Sequence, residues 1–206
     1  MWLKRSSMQL LLIFVKHPQA GKVKTRLARS IGHEKAVAVY QELLTFTRTI
    51  TKPLTATKAV FYGNFVPPTD LWAEAGFPRK MQVGESLGDR MCQAFQWGFA
   101  EGYQKILIIG SDCPHISTAL LEDAFAQLDT HDFVIGPAKD GGYYLLGMKT
   151  LLPTVFEQKE WSTNSVFEAT CRDIQDAGMS VFHLPTLSDI DVIDDLQGTF
   201  LEKYAL

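Results

Sequence analysis

The sequence predicts an α/β protein, a three-layer α/β/α sandwich in which helices cover both faces of a mostly parallel, twisted sheet. Three observations indicate this fold class. The runs at residues 10–15 (LLLIFV) and 106–110 (ILIIG) are apolar at every position, as expected for strands buried on both faces. Segments with the helical spacing of apolar residues alternate with such runs along the chain. No linker, repeat or low-complexity tract interrupts residues 1–206, so we expect a single domain.

The individual elements follow from apolar spacing and from the turn residues between them. A helix is expected from His33 to Lys52, where the apolar stripe stops before Pro53. Ser117 is a suitable N-cap for a later helix. We predict strands over residues 10–15, 57–64, 81–83, 106–110, 131–137, 142–148 and 181–185, and helices over residues 33–52, 87–102, 117–128, 165–177 and 194–204. Residues 1–8 are expected to form a short extra or disordered segment.

The composition argues against several classes of protein. With 20 basic and 23 acidic residues the net charge is −3, which provides no general attraction to nucleic acid or to an anionic membrane. The three cysteines share no zinc-ligand spacing and are odd in number, so we expect neither a disulfide framework nor a structural zinc site. The apolar run at 10–15 is too short for a signal peptide or membrane span. We therefore expect a cytoplasmic protein with no nucleic-acid or membrane partner.

Charged loops follow several of the predicted strands. The basic loop, residues 16–26 (KHPQAGKVKTR), comes directly after the first strand and carries Lys16, Lys22, Lys24 and Arg26. Carboxylates follow later strands in the segments 111–115 (SDCPH), 138–142 (AKDGG) and 187–191 (LSDID). Each loop alone is explained equally well as a turn. Together they would meet at one sheet edge, where cations hold phosphates and carboxylates hold Mg²⁺, so we predict a site for the phosphates of a nucleotide.

Three better-known phosphate motifs do not fit. A Walker A loop requires GxxxxGK[ST], but Val23 follows Gly21-Lys22 and no glycine lies five residues before Gly21. A GxGxxG dinucleotide motif is absent after every predicted strand. The stretch from Asp189 to Val192 resembles the DxDx[TV] motif of aspartyl-phosphate phosphatases, but that motif belongs after a first strand and here the stretch stands near the end of the chain.

A series of motifs resembles a known group of enzymes. In chain order the motifs are KHPQAGKVKTRLA, GESLGDRM, IIGSDCPHIS, GPAKDGGYYLLG, WSTNSVFEAT and LSDIDVIDDL. They resemble a bacterial group of GT-A-fold nucleotide-diphospho-sugar transferases that is often labelled arsenosugar-biosynthesis-type glycosyltransferase. The group is also similar to phospholactate guanylyltransferases and to molybdopterin-type nucleotidyltransferases. The similarity extends over residues 9–196, nearly the whole chain.

The resemblance implies roles for individual residues. The nucleotide-binding set that it implies is Lys16, Gly21, Lys24, Thr25, Arg26, Ser86 and Arg90, the last two lying where relatives contact base or ribose. Asp112 is implied as a ligand of Mg²⁺ or Mn²⁺. Where relatives read DIDTPEDL, either Asp189 or Asp191 is implied as a second ligand. The catalytic set that we predict is Asp112, Asp140 and Lys24.

Structural alternatives exist for most of these residues. Asp112 is equally placed to cap the turn after its strand, and Asp140 is either a turn residue or a contact or general base for the acceptor. Arg90 alternatively pairs with a neighbouring surface carboxylate. Residues 161–163 form either an acceptor-side loop or a helix N-cap. Cys113 is not expected to be a nucleophile, because it has no evident base and an acidic neighbourhood disfavours the thiolate.

The function expected from these residues is a magnesium-dependent transferase. It would bind a nucleotide or nucleotide-diphospho-sugar donor and pass a glycosyl or nucleotidyl group to a small-molecule acceptor. A phosphate is the leaving group in both reactions, so the residues do not separate them. The alternatives are a non-catalytic nucleotide-binding module and a sugar-phosphate-binding or phosphatase-like enzyme.

Overall fold

The computed structural model describes residues 8–205 and contains a seven-stranded sheet. Apart from Met8, the expected extra segment at residues 1–8 lies outside the described residues. The strands are β1 (Gln9–Val15), β2 (Thr57–Tyr62), β3 (Arg79–Met81), β4 (Lys105–Ile109), β5 (Phe133–Pro137), β6 (Tyr143–Met148) and β7 (Val181–His183). Their order across the sheet is β3-β2-β1-β4-β6-β5-β7. Neighbouring strands are parallel except at β6, which is antiparallel to both β4 and β5.

Six α-helices connect these strands. They are α1 (Thr25–Ile31), α2 (His33–Thr51), α3 (Leu71–Glu74), α4 (Leu87–Ala100), α5 (Thr118–Gln127) and α6 (Val166–Asp176). Short 3₁₀ turns cover Pro153–Phe156, Ile193–Leu196 and Glu202–Tyr204. As predicted, Ser117 caps α5: its side chain accepts a hydrogen bond from the backbone N–H of Leu120. The described residues contain no helix with the length and hydrophobicity needed to cross a bilayer.

The core lies on both faces of the sheet, which confirms the predicted fold class. Along β1, Leu10 and Leu12 point to one face, where they pack with α4 and α6, while Leu11 and Ile13 point to the other, with α2 and α5. All four side chains are fully buried. This double burial explains why the run is apolar at every position.

Three local predictions need correction. The expected terminal helix over 194–204 is two separate 3₁₀ turns, because Gly198 between them has φ of +70°, outside the helical region. The short strand expected over 81–83 lies instead at Arg79–Met81. Helix α1 begins inside the segment interpreted as the basic loop, so Thr25 and Arg26 are helical residues. Helix α3 was also missed, although Asp70 caps it with hydrogen bonds to two backbone N–H groups.

Candidate functional site

A cavity of about 600 Å³ opens at the carboxyl ends of β1, β4 and β5. Its walls come from each of the loops that the sequence placed at this edge. The predicted site residues that line it are Lys16, Lys24, Thr25, Arg26, Arg90, Asp112, Asp140, Asp189 and Asp191. A cavity of this size is within the range that holds a small organic ligand such as a nucleotide. The prediction that these loops converge is therefore correct.

Lys24 lies at the centre of the charged end of the cavity. Its side chain is only 5% exposed, and its Nζ is 2.8 Å from Asp112 Oδ1 and 3.9 Å from Asp191 Oδ1. Nζ also donates a hydrogen bond of 2.5 Å to the carbonyl of Ile190. The backbone of Lys24 is left-handed, with φ of 48°, where it leads into α1. A buried ammonium with these partners is a fixed positive charge rather than a solvated loop lysine.

Arg26 contacts Asp191 from the protein surface. Its Nη2 donates to Asp191 Oδ2 at 2.8 Å, and its side chain is 64% exposed. Both oxygens of Asp191 therefore lie near cations, Oδ2 beside Arg26 and Oδ1 near Lys24. Because an exposed ion pair is worth at most about 1 kcal/mol, this contact is easily broken.

Asp112 and Asp189 differ from Asp191 in having unsatisfied oxygens. Oδ1 of each is buried and has no hydrogen-bond partner, so the contact of Asp112 with Lys24 is an ion pair without the direction of a hydrogen bond. Burial raises the pKa of Asp189 to about 7, and the charge of Asp112 adds to the rise, while Lys24 opposes it. The charges of Asp140 and Asp191 raise this pKa further. The cavity thus concentrates negative charge that its own lysine only partly compensates.

The carboxylates fit a divalent cation that is shared with a ligand. Among residues 8–205 no three His, Cys, Asp or Glu side chains are grouped so that they could hold a metal ion by themselves. Mg²⁺ does not need such a cage, since it is usually bound by one or two carboxylates together with substrate phosphates and water. The buried Oδ1 atoms of Asp112 and Asp189, neither of which has a hydrogen-bond partner, are carboxylate oxygens of that kind, although Oδ1 of Asp112 is paired with Lys24.

Tyr40 holds the first loop against the loop that carries Asp112. Its hydroxyl accepts a hydrogen bond from the backbone N–H of Lys16 at 2.8 Å and lies 3.2 Å from Ser111 Oγ. Tyr40 and Ser111 are both buried. Lys16 itself is exposed, and its side chain is at the cavity wall. The sequence interpretation missed Tyr40, because its position on the apolar stripe of α2 indicates only core packing.

Asp140 belongs to a tight turn between β5 and β6. Its Oδ1 accepts a hydrogen bond from the backbone N–H of Gly142 at 2.9 Å, as in the structural alternative, yet the exposed carboxylate also lines the cavity. The neighbouring glycine allows a close contact within the protein. Gly141 has φ of +88°, and a Cβ there would lie 2.3 Å from the carbonyl oxygen of Asn164, so the loop that carries Asn164 packs directly against it.

Of the three remaining predicted residues, Gly21, Ser86 and Arg90, only Arg90 lines the cavity. Gly21 and Ser86 do not line the cavity, and Ser86 is used instead as the N-cap of α4, where its Oγ accepts from the N–H of Asp89. Arg90 does line the cavity, but its Nε donates to the carbonyl of Gly84 rather than to a carboxylate. The GESLGDRM motif is therefore largely a helix start.

Cys113 has no nucleophilic character in this structure. Its thiol is buried and its Sγ donates to the carbonyl of Ser188 at 3.5 Å. Burial, together with the charge of Asp189, raises its pKa to about 12, so the thiol stays protonated at neutral pH.

Two comparisons bear on the identity of the chain. The model of the family described as "Uncharacterized protein conserved in bacteria (DUF2064)" matches residues 46–163, more than half of the sequence. The match includes Asp112 and Asp140 but not the basic loop or the aspartates at 189 and 191. A comparison with curated proteins found no match.

Solved structures share the fold over nearly the whole chain. A candidate nucleotide-diphospho-sugar transferase from Desulfovibrio desulfuricans G20 has a TM-score of 0.85 and 29% identity, covering 96% of this chain and 94% of that chain. The inositol-1-phosphate CTP transferase from T. maritima has a TM-score of 0.55 and 14% identity, covering 98% and 97%. The 4-diphosphocytidyl-2C-methyl-D-erythritol synthase from Anaerococcus prevotii DSM 20548 has a TM-score of 0.56 and 9% identity, covering 93% and 95%. The last two establish the fold alone.

Proposed function

We propose that this chain, which belongs to the DUF2064 family of bacterial proteins, is a transferase that acts at the phosphates of a nucleotide. It binds a nucleotide or nucleotide-diphospho-sugar and passes a nucleotidyl or glycosyl group to a small acceptor. The observation that carries the proposal is the charged end of the cavity, where Lys24 and Arg26 meet Asp112, Asp189 and Asp191. The name of the relative from Desulfovibrio desulfuricans, a nucleotide-diphospho-sugar transferase that shares 29% identity over nearly the whole chain, supports it.

The two kinds of charge have separate roles in this proposal. The cations Lys24 and Arg26 contact the phosphates and offset the negative charge that develops on the leaving group. Lys24 is preorganised for this role by its burial and by its bond to the carbonyl of Ile190. Arg26 exchanges its exposed contact with Asp191 for a phosphate oxygen.

We further propose that Asp112 and Asp189 hold Mg²⁺ with the phosphates. Asp189 is favoured over Asp191 because its buried Oδ1 has no hydrogen-bond partner, whereas both oxygens of Asp191 lie near cations; Asp112 Oδ1 also lies near one, the ammonium of Lys24. A Mg²⁺ ion held there by Asp112 and Asp189 would supply positive charge that offsets the charge of the phosphates. In this proposal Asp140, an exposed residue that lines the same cavity, accepts a proton from the acceptor.

Nucleotide binding is tested with a matched pair of arginine variants. Arg26→Gln should weaken binding about tenfold, because one charge-assisted contact is lost. Arg29→Gln is the control: Arg29 is exposed on the same helix and does not line the cavity. Affinities are measured by calorimetry for the ligand that gives the largest thermal shift in a panel of NTPs and UDP- and GDP-sugars. Equal affinities for wild type and Arg26→Gln would contradict the proposed phosphate contact.

The metal assignment is tested with the same ligand at different Mg²⁺ concentrations. Asp112→Asn and Asp189→Asn should abolish the extra thermal stabilisation that Mg²⁺ gives to the nucleotide complex, and Asp191→Asn should retain it. If Asp191→Asn is the variant that loses the Mg²⁺ effect, the assignment to Asp189 is wrong.

The leaving group separates the two transfer reactions. In nucleotidyl transfer an acceptor oxygen bonds to the α-phosphorus of an NTP and pyrophosphate leaves; in glycosyl transfer it bonds to the sugar carbon and a nucleoside diphosphate leaves. Chromatography of reactions with pooled small acceptors detects either product. Nucleotide binding without either product would favour the non-catalytic module, and release of inorganic phosphate without an acceptor would favour a phosphatase.

A further inference from the structure

Lys24 covers one of the two carboxylate oxygens proposed to bind the metal. Its Nζ lies 2.8 Å from Asp112 Oδ1, and that oxygen is buried although the Asp112 side chain is 45% exposed. A Mg²⁺ ion bound to this oxygen would lie about 2.1 Å from it. Metal and ammonium would then compete for the same buried atom.

The ammonium of Lys24 has the surroundings of a bound cation. Nζ lies 2.5 Å from the Ile190 carbonyl, 2.8 Å from Asp112 Oδ1 and 3.9 Å from Asp191 Oδ1. Burial raises the pKa of Asp189, and the charge of Lys24 opposes that rise. Lys24 therefore supplies positive charge to three aspartates at once, as a metal ion among carboxylates does.

The backbone of Lys24 holds the ammonium in this place. Lys24 has φ of 48°, which is uncommon for a residue other than glycine, and it occupies the N-cap position of α1 without a side-chain capping bond. Its side chain extends instead to the carbonyl of Ile190, 166 residues away. Because an ammonium has three N–H donors on a flexible stem, Lys24 can keep this carbonyl and exchange Asp112 for another anion.

We propose that Lys24 is a built-in competitor of the divalent cation. Without nucleotide, its ammonium takes the cation's place at Asp112 and keeps the metal out; the phosphates of a nucleotide draw the ammonium away, and the metal enters with them. The part of this inference that concerns nucleotide rests on the proposed function, whereas the competition between Lys24 and the metal does not. Because coupling is reciprocal, nucleotide and metal each raise the affinity of the protein for the other by the same factor.

Calorimetric titration with Mn²⁺ alone tests the competition. Lys24→Gln removes the ammonium but keeps an N–H donor for the Ile190 carbonyl, and it should bind Mn²⁺ about tenfold more tightly than wild type does. Arg26→Gln is the matched control, because it removes a cation from the same cluster at a side chain that is 64% exposed and pairs with Asp191. Its gain in affinity should stay under about threefold. Adding Asp112→Asn to Lys24→Gln should abolish the gain, which locates the competition at Asp112.

A second titration tests the release of the ammonium. It uses Mn²⁺ with a saturating concentration of the nucleotide that gives the largest thermal shift. Once the phosphates hold the ammonium, Lys24 no longer covers Asp112, so wild type and Lys24→Gln should differ in Mn²⁺ affinity by less than about threefold. A lysine that only stabilised the fold would not make this difference depend on nucleotide.

Equal Mn²⁺ affinities of wild type and Lys24→Gln without nucleotide would overturn the inference, since the metal would then bind at other oxygens while the ammonium stays. Equal gains in Lys24→Gln and Arg26→Gln, or a gain that survives Asp112→Asn, would overturn it as well, because they indicate a general effect of charge or a different metal site. A difference that persists with nucleotide contradicts the release of the ammonium. If no nucleotide binds to wild type, the proposed function fails, and the titrations with Mn²⁺ alone still decide whether Lys24 competes. Thermal unfolding establishes that each variant is folded.

Discussion

Replacing Asp189 with asparagine should stabilise the protein, and by an amount that grows with pH. Burial and the charge of Asp112 raise the pKa of Asp189 from 3.8 to about 7 in the folded protein. The folded state therefore holds this proton more tightly than the unfolded chain does. Stability must then fall as pH rises between these two values, and the whole loss is present above pH 7. Asparagine resembles the protonated acid and has no charge to lose.

The size of the effect follows from the same pKa. At 1.36 kcal/mol for each pKa unit, the rise corresponds to an upper limit of about 4 kcal/mol. The advantage of Asp189→Asn over wild type should be smallest near pH 4 and should grow by about 2 to 3 kcal/mol between pH 5 and pH 8.

Urea unfolding followed by tryptophan fluorescence, with EDTA present, measures this difference at each pH. Asp194→Asn is the matched control, because Asp194 is an exposed aspartate on the same segment and outside the cavity wall. Its stability should run parallel to that of wild type at every pH. If the curve for Asp189→Asn is also parallel to wild type, the buried carboxyl does not titrate as described and the electrostatic account of the site is wrong.

Three further substitutions test other contacts by urea unfolding. Lys24→Met should destabilise by about 1 to 3 kcal/mol, because the Ile190 carbonyl loses its hydrogen-bond donor and Oδ1 of Asp112 loses its cation. Lys22→Met, at an exposed side chain, should cost under about 0.5 kcal/mol, and equal costs would contradict a structural role for the buried Lys24 ammonium. Tyr40→Phe should lower the free energy of unfolding by about 1 to 3 kcal/mol, because the backbone N–H of Lys16 loses its hydrogen-bond acceptor. An unchanged free energy of unfolding would mean that water replaces the hydroxyl. Gly141→Ala should lower the free energy of unfolding more than Gly178→Ala does. Both glycines have positive φ, but of the two only Gly141 has other backbone atoms within 4 Å of an added Cβ. Similar losses of stability would argue against tight packing of the Asn164 loop.

The sequence predicted those features that local patterns determine. Strands β1 and β4 were evident because burial on both faces requires apolar residues throughout. The convergence of the charged loops followed from the geometry of a parallel sheet. Helix α1 was missed because its first turn continues a basic cluster, and charge hides the periodicity of a short helix.

Features that depend on tertiary contacts could not be read from the sequence. Lys24 is 166 residues from Ile190, so nothing local indicates that this lysine is buried against that carbonyl. Ser86 was predicted to contact the ligand because it belongs to the GESLGDRM motif. In the structure its Oγ accepts a hydrogen bond from the backbone N–H of Asp89 and so caps α4. The close packing of Gly141 on the backbone of Asn164 is a contact of the same kind, which no local pattern indicates.

The two faces of β6 constrain the register of this antiparallel strand more than the length of the β5–β6 turn. Tyr143 and Tyr144 are adjacent in β6 and point to opposite faces: Tyr143 contacts Met91 on one side, and the Tyr144 hydroxyl donates to the Pro185 carbonyl on the other. Deleting one residue of the turn would leave both rings in place as long as β6 keeps its pairing with β4. If β6 shifted by one residue against β4, the two tyrosine rings would exchange faces, because side chains alternate along a strand. Natural insertions in this hairpin should therefore either occur in the turn alone or be matched by a bulge, such as the register shift already present between Gly136 and Pro137.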